Sequence, residues 1–276
     1  MIIWIASYPK SGNTWVRLFL NYLLSPTNKL NINKNYIGQF PLREHFVGLT
    51  KNVDNQNEYA RNCKNAQLKL NSDCKIKIFK THNALWNWNN GQYSFTDEKS
   101  SLGVIHIVRD PRNIVTSILN YFHKDNYDQA LEFMKENKVL GGGKDESGLP
   151  TIIGSWPNHY KSWKKFKKNN LLIRYEDLLE KPENEFFKIT NFLKLVGKFQ
   201  FKDDKIFEAI QNCKFNNLSK QEDLYGFDGN SYTNKKLNHK FFNLGPKNKW
   251  ENLLNPKIKS EIELLFKEEM QELNYL

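Results

Sequence analysis

The first 24 residues constrain the fold more than any other stretch of the chain. The apolar run Ile2–Ala6 predicts a short buried strand, and the mostly apolar run Trp15–Leu24 predicts a buried helix. The tight loop Ser7–Trp15 connects them. A strand, a loop and a helix in this order aim backbone N–H groups and the positive end of the helix dipole at an anion. We therefore predict a phosphate-binding loop.

The side chains of this loop suit an anion. Lys10 adds a mobile positive charge, and Ser11 and Thr14 add hydroxyl donors. Gly12 allows close backbone approach or a positive φ. The loop is not a Walker A motif, because GxxxxGK[ST] places its lysine after the second glycine, whereas Lys10 precedes Gly12. An ordinary strand-to-helix turn is the alternative.

Further strands are predicted at Lys75–Lys80, Gly103–Val108 and Leu171–Tyr175. The near-continuous apolar character of Gly103–Val108 is typical of a parallel strand covered on both faces. Strands that alternate with helices indicate parallel pairing through crossover helices. We expect an α/β fold, with a central parallel sheet flanked by helices and a P-loop-like nucleotide-binding core. Without a repeat or a clear boundary, residues 1–276 are expected to form a single domain.

Helices are predicted between these strands from apolar periodicity and from end signals such as Asp110 as N-cap and Pro111 at the first helical position. They cover Glu58–Leu70, 110–123, Asp128–Asn137, Thr151–Phe166, Glu183–Val196, Asp203–Lys214 and Pro256–Leu273. Residues 83–100 resemble an aromatic loop, and residues 216–250 form a long polar, basic stretch.

The composition points to a folded, basic protein. The hydrophobic share of 39% excludes a disordered polyelectrolyte. The net charge of +11 reflects either scattered surface lysines or a multiply charged anionic ligand or polymer. Cys63, Cys74 and Cys213 are too few and too irregular for a disulfide framework or a structural zinc site. The chain enters a core strand at once and has no long apolar run, so we expect a soluble cytoplasmic protein.

Two segments resemble motifs of the sulfotransferase family, whose members use 3′-phosphoadenosine 5′-phosphosulfate (PAPS). Tyr8–Trp15 is similar to the family's 5′-phosphosulfate loop. Val108–Ser117 is similar to its 3′-phosphate motif, in which an arginine and a serine eight residues later bind the 3′-phosphate; the equivalents here are Arg109 and Ser117. The resemblance implies PAPS as sulfuryl donor, 3′-phosphoadenosine 5′-phosphate (PAP) as product, and no metal.

The resemblance also implies roles for single residues. In Lys80-Thr81-His82, His82 would be the catalytic base, and Lys80 would assist at the transferring group. Lys10 would neutralise charge on the leaving oxygen. The nucleotide-binding residues implied are Lys10, Ser11, Gly12, Asn13, Thr14, Trp15, Arg109, Ser117, Tyr175, Phe215 and Gly245. Trp15 and Phe215 would flank the adenine, and His159 is a further candidate for the acceptor pocket.

One segment departs from the family pattern. The family usually shows an Arg-Lys pair before a glycine near the C-terminus, and this pair helps to bind the 3′-phosphate. Asn243 and Leu244 occupy those positions here, while Gly245 and Trp250 keep the pattern. Backbone amides near Gly245, or the charge of Lys240 or Lys247, would have to compensate.

The function implied is in-line transfer of a sulfuryl group to an acceptor hydroxyl or amine. A small-molecule kinase would need a Walker A motif and a carboxylate for Mg²⁺, and neither is found. A non-catalytic binder of nucleic acid or acidic polysaccharide would bind with a steep salt dependence. We expect neither a nucleic-acid partner nor an integral membrane segment, and the sequence does not indicate an oligomeric state.

The acceptor stays open among carbohydrates, lipids and small molecules. Residues 27–72, 83–100 and 138–152 are the expected acceptor loops. Trp86, Trp88 and Tyr93 either stack on a sugar or planar ring or pack their own loop.

Overall fold

A five-stranded parallel sheet forms the centre of the computed structural model, which describes residues 1–27, 29–88, 90–141, 149–228 and 240–276. Its strand order is β2-β3-β1-β6-β9, and every neighbouring pair in it is parallel. Helices cover both faces of the sheet, so the α/β class with a central parallel sheet is confirmed. The strands are β1 (Ile2–Ser7), β2 (Gly38–Gln39), β3 (Lys77–Thr81), β4 (Asn87–Trp88), β5 (Tyr93–Ser94), β6 (Ser101–Val108), β7 (Lys138–Leu140), β8 (Thr151–Gly154) and β9 (Asn170–Arg174).

The helices largely follow the predicted pattern. Asn55 and Asp110 cap two of them, each through a side-chain oxygen that accepts a backbone N–H. The helices are α1 (Asn13–Leu24), α2 (Gln56–Asn71), α3 (Pro111–Tyr121), α4 (Tyr127–Lys135), α5 (Trp156–Lys164), α6 (Tyr175–Glu180), α7 (Pro182–Gly197), α8 (Asp203–Asn212), α9 (Phe215–Tyr225), α10 (Trp250–Leu253), α11 (Pro256–Leu265) and α12 (Lys267–Glu272).

Strand β1 lies in the middle of the sheet and is buried on both faces. Ile3 and Ile5 belong to a core that includes residues of α1, α7 and α8. On the other face, Trp4 packs among aromatic rings, with the Phe95 ring centroid 5.0 Å away. Burial on both sides explains why this strand is a continuous apolar run rather than an alternating one.

The carboxyl ends of four adjacent strands bring the predicted site residues to one edge of the sheet. The anion-binding loop follows β1, His82 follows β3, Arg109 follows β6 and Tyr175 follows β9. Parallel strands present their carboxyl ends at the same edge, where ligands of open α/β sheets bind. Segments far apart in the chain therefore meet at one place.

Four predicted elements differ from the structure. Thr151–Phe166 is not one helix, because its first residues form β8, which pairs with β7. The predicted loop 83–100 contains the short hairpin of β4 and β5. The polar stretch 216–250 contains most of α9, which buries Leu218 and Glu222. The closing helix is split, because Phe266 leaves helical geometry (φ −115°, ψ 22°) between α11 and α12.

None of the helices in the described ranges is long and apolar enough to cross a lipid bilayer.

Candidate functional site

A cavity of about 1160 Å³ opens at the carboxyl edge of the sheet. The predicted catalytic and nucleotide-binding residues all line this cavity except Ser11. The loop after β1, the ends of β3 and β6, and the segment 240–248 form its walls.

The backbone of the loop presents free donors. Gly12 has a φ of +99°, and its carbonyl accepts the N–H of Trp15 at 3.0 Å, which starts α1. The N–H groups of Gly12, Asn13 and Thr14 donate to no described residue. Such groups at the start of a twelve-residue helix form an anion site.

Two loop side chains differ from a simple binding role. The Asn13 side-chain amide donates to the Ile5 carbonyl at 3.1 Å and to Ser7 Oγ at 3.3 Å, so it ties the loop to β1. Ser11 Oγ is buried without a hydrogen-bond partner among the described residues, and Ser11 does not line the cavity.

Lys10 crosses from the loop to the opposite wall. Its backbone is left-handed (φ 68°), and its Nζ lies 3.8 Å from the centroid of the Tyr121 ring and 4.4 Å from that of Phe241. Burial and, secondarily, the charge of Arg109 lower the pKa of Lys10 to about 7, and Glu222 opposes this shift. The charge predicted to be mobile is therefore held between two rings, where an anion would stabilise it.

Arg109 links the loop to α3. Its guanidinium donates to the Lys10 carbonyl at 2.8 Å and to Ser117 Oγ at 3.3 Å, and lies 4.3 Å from the Tyr175 ring centroid. Its Nε is buried with no partner among the described residues. The eight-residue spacing thus does bring Arg109 and Ser117 together.

Ser117 also accepts a hydrogen bond from the side-chain amide of Asn248, at 3.1 Å. The Ser117 oxygen therefore accepts from both Arg109 and Asn248. The Asn248 side-chain oxygen also accepts a hydrogen bond from the Thr116 hydroxyl at 2.7 Å. Asn248 was not predicted, because nothing in its local sequence pattern singles it out.

The imidazole of His82 is held in one tautomer. Its Nδ1 lies 2.8 Å from the Ser7 carbonyl oxygen, which can only accept, so Nδ1 carries the proton. Nε2 is left as an acceptor. Burial, followed by the charge of Lys80, holds the pKa of His82 well below its usual value. A neutral imidazole with a basic Nε2 can take a proton.

Lys80 lies on β3, in register with Ile5 of β1. Its Nζ donates to Gln39 Oε1 at 3.3 Å. Burial and the charge of Arg17 lower the pKa of Lys80 to about 7. Arg17 also lines the cavity but was not predicted as a site residue. The sequence signal that could have indicated it is a single charged residue inside the apolar run of α1.

Trp15, Phe215 and Gly245 line the cavity. The Trp15 indole N–H donates to the Cys213 carbonyl at 2.8 Å, which ties α1 to the segment that carries Phe215. Gly245 has a φ of +52°, and a Cβ there would lie 2.3 Å from the Phe215 ring. Phe215 and Gly245 are therefore in direct contact.

The segment without the Arg-Lys pair is held by a buried carboxylate. Glu222 accepts the N–H groups of Phe241 at 2.6 Å and Phe242 at 2.8 Å. Of the two predicted substitutes, Lys240 lines the cavity but is paired with Asp223, and Lys247 does not line it. Lys214 lines the cavity and was not predicted.

Only some of the residues predicted to contact the acceptor line the cavity. His159 is only 1% exposed, packs 5.7 Å from the Tyr8 ring centroid and does not line the cavity. Residues in 27–72 and 138–152 do line it. None of the described residues of 83–100 lines the cavity. Trp86 packs instead against Tyr59 and Phe95. Tyr93 is likewise absent from the cavity wall. The side chain of Trp88 lies outside what the structure describes.

No group of three or more His, Cys, Asp or Glu side chains in the described part of the chain is arranged to hold a metal ion.

Comparisons with known proteins point to one family. Sulfotransferase 1B1 from Canis lupus familiaris is 24% identical over 96% of this chain and 82% of its own length. Cytosolic sulfotransferase 6 from Arabidopsis thaliana is 21% identical over 97% of this chain and 78% of its own length.

Solved structures share the fold. The crystal structure of mouse sulfotransferase SULT7A1 complexed with PAP matches with a TM-score of 0.62 and 19% identity, over 98% of this chain and 84% of that one. Retinol dehydratase in a complex with retinol and PAP matches with a TM-score of 0.61 and 16% identity, over 98% and 81%. The model of the sulfotransferase domain matches residues 2–274, and the chain therefore belongs to the sulfotransferase family.

Proposed function

We propose that this sulfotransferase moves a sulfuryl group from PAPS to an acceptor hydroxyl or amine, with His82 as base and PAP as product. One observation carries the proposal. The unpaired amides of the loop, Lys10 and Arg109 line the same cavity as the basic nitrogen of a neutral His82.

The residues present suit the nucleotide. The free N–H groups of 12–14 and the charge of Lys10 match a 5′-phosphosulfate. Arg109, with its unpartnered Nε, and Ser117 suit the 3′-phosphate. Trp15 and Phe215 would hold the adenine, and Lys214 lines the same cavity. Asn248, which donates to Ser117 Oγ, would take the place of one residue of the missing Arg-Lys pair.

The donor supplies an activated sulfur–oxygen bond. His82 Nε2 takes the proton of the acceptor as its oxygen or nitrogen bonds to sulfur. Lys10 neutralises the charge that develops on the bridging oxygen of the leaving 5′-phosphate as its bond to sulfur breaks. Lys80 stabilises the transferring group.

We also propose that residues 1–276 act as one domain and that the protein is cytoplasmic, as the Arabidopsis relatives are named. The acceptor would be a small molecule, carbohydrate or lipid; retinol and androsterone occur in the complexes of retinol dehydratase.

Calorimetric titration with PAP and transfer of radiolabelled sulfate from PAPS to a panel of phenols, alcohols, sugars and amines test this function. We expect PAP to bind and to raise the melting temperature, because a ligand that binds only the folded state stabilises it. The proposal is wrong if PAP neither binds nor stabilises the protein.

A Gly12→Ala substitution should weaken PAP binding. The new Cβ would meet the Tyr175 ring at 2.4 Å at a φ of +99°. Strain of this kind costs on the order of 1–3 kcal/mol, and we expect PAP affinity to fall about tenfold or more. Gly48→Ala is the matched control, because Gly48 also has a positive φ but has no neighbour within 4 Å. Calorimetry measures both variants, and equal PAP affinity in the two would contradict the role of Gly12.

PAP binding should take up protons above neutral pH. The pKa of Lys10 is about 7 in the free protein, so its amine is mostly neutral at pH 8. A bound phosphate favours the charged form and raises this pKa. We therefore expect an uptake of about half a proton or more per PAP at pH 8, and an affinity that falls as the pH rises above 7. Calorimetry in HEPES and in Tris measures the uptake, which Lys10→Met should reduce; an observed enthalpy independent of the buffer would contradict it.

A further inference from the structure

Arg17 is a cation of the cavity for which the proposed transfer step has no use. It lies on α1, two residues after Trp15, between the buried residues Val16 and Leu18. Its Nε is buried without a partner, and its guanidinium makes no hydrogen bond, ion pair or ring contact with any described residue. The side chain is partly buried, and a cation with a buried, unpartnered donor is a candidate for binding an anion that the chain itself does not supply.

The charge of Arg17 is placed close to the reacting groups. It contributes to the lowered pKa of Lys80 and, as a smaller cause, to that of His82. Among the described residues, the Lys80 amine donates only to the neutral amide of Gln39. The Arg17 guanidinium and the Lys80 amine therefore line the cavity together with His82, and neither forms an ion pair with a described carboxylate.

The remaining charges of the cavity wall do not balance this pair. Among the described lining residues, Asp228 is the only carboxylate. Arg43 already has a counterion, since it donates to Asp54 at 3.0 Å. Lys240 is paired with Asp223. Lys10 lies in the loop after β1 and Arg109 directly after β6, where the donor would bind.

We propose that the acceptor carries an oxyanion, a carboxylate, phosphate or sulfate, besides the hydroxyl or amine that reacts, and that Arg17 binds this oxyanion. The proposal rests on the proposed function, because it assigns the substrate class of the same cavity. A guanidinium with free N–H groups forms paired, charge-assisted hydrogen bonds with such a group. Arg17 would then select charged acceptors over neutral ones.

Matched pairs of compounds test this assignment. The pairs are 4-hydroxyphenylacetate and its methyl ester, 6-hydroxyhexanoate and its methyl ester, and glucose 6-phosphate and glucose. Each compound is titrated calorimetrically into the PAP-bound protein, which requires no turnover, and then assayed for sulfate transfer. Arg17→Gln removes the charge, Arg17→Lys keeps it without the planar fork, and Arg61→Gln is the control, because Arg61 is exposed, is paired with Glu58 and does not line the cavity.

We expect the charged member to bind more tightly in at least one pair. Arg17→Gln should lower that affinity about tenfold to a hundredfold, as is typical of a lost hydrogen bond to a charged group, with little change for the neutral member. Arg17→Lys should restore part of the loss, and Arg61→Gln should bind like the wild type.

Two results would overturn the proposal. One is the absence of any preference for a charged member in all three pairs. The other is an equal loss for both members, or a loss of PAP affinity, in Arg17→Gln, since Arg17 would then serve the donor. If the protein binds no PAP but still prefers charged compounds through Arg17, the sulfuryl donor is wrong while the oxyanion site stands.

Discussion

His82→Ala should lower kcat for sulfate transfer by about 10²–10⁴-fold, the usual contribution of a positioned general base. The expectation depends on the hydrogen bond of 2.8 Å between His82 Nδ1 and the Ser7 carbonyl, which leaves Nε2 free to accept a proton. The lowered pKa keeps that nitrogen unprotonated at neutral pH. PAP affinity should change little, because the nucleotide is assigned to other residues.

The measurement is a steady-state transfer assay with calorimetric PAP titration and circular dichroism as controls for binding and folding. His123→Asn is the comparison variant, because His123 is exposed and has a φ of 49° that asparagine tolerates. A His82→Ala protein that transfers sulfate at nearly the wild-type rate would remove the base assignment.

Lys10→Met should lower kcat by about 10²–10³-fold, the cost of removing one preorganised donor from a developing negative charge. Methionine keeps much of the length and the contact with Tyr121 and Phe241 but has no charge. PAP affinity should fall as well, because the same amine would face the 5′-phosphate of bound PAP. The lost charge thus affects both binding and the chemical step.

Single-turnover kinetics separate these two effects of Lys10→Met. Lys247→Met is the control, because Lys247 is exposed and does not line the cavity. A Lys10→Met protein whose kcat is unchanged once PAPS saturates it would restrict Lys10 to donor binding and contradict its role at the leaving oxygen.

Local pattern was sufficient where a single element carries the signal. The apolar runs of β1 and β6 predicted buried parallel strands, because a strand covered on both faces has no polar side to reveal. The resemblance to the 3′-phosphate motif grouped Arg109 with Ser117, and the Arg109 guanidinium does donate to Ser117 Oγ at 3.3 Å, since one cap and two helical turns connect them.

Local pattern failed where contacts between distant segments decide the outcome. Trp86 could have faced a ligand or the core, and only its packing against Tyr59 and Phe95 assigns it to the core. Helix α9 was missed because its sequence is polar, and its position depends on the bonds from Phe241 and Phe242 to Glu222. The aromatic character of Phe215 likewise does not reveal its contact with Gly245.

Short-range periodicity was enough to predict the strand, loop and helix at the N-terminus and the α/β class. Consecutive residue types likewise showed which side chains are available to bind an anionic donor. Packing between distant segments was needed to show that His82 bonds to Ser7 and keeps Nε2 basic, that Asn248 bonds to Ser117, and that the Arg17 Nε has no partner among the described residues. These contacts span many residues, and the packing of the parallel sheet brings them together at one edge.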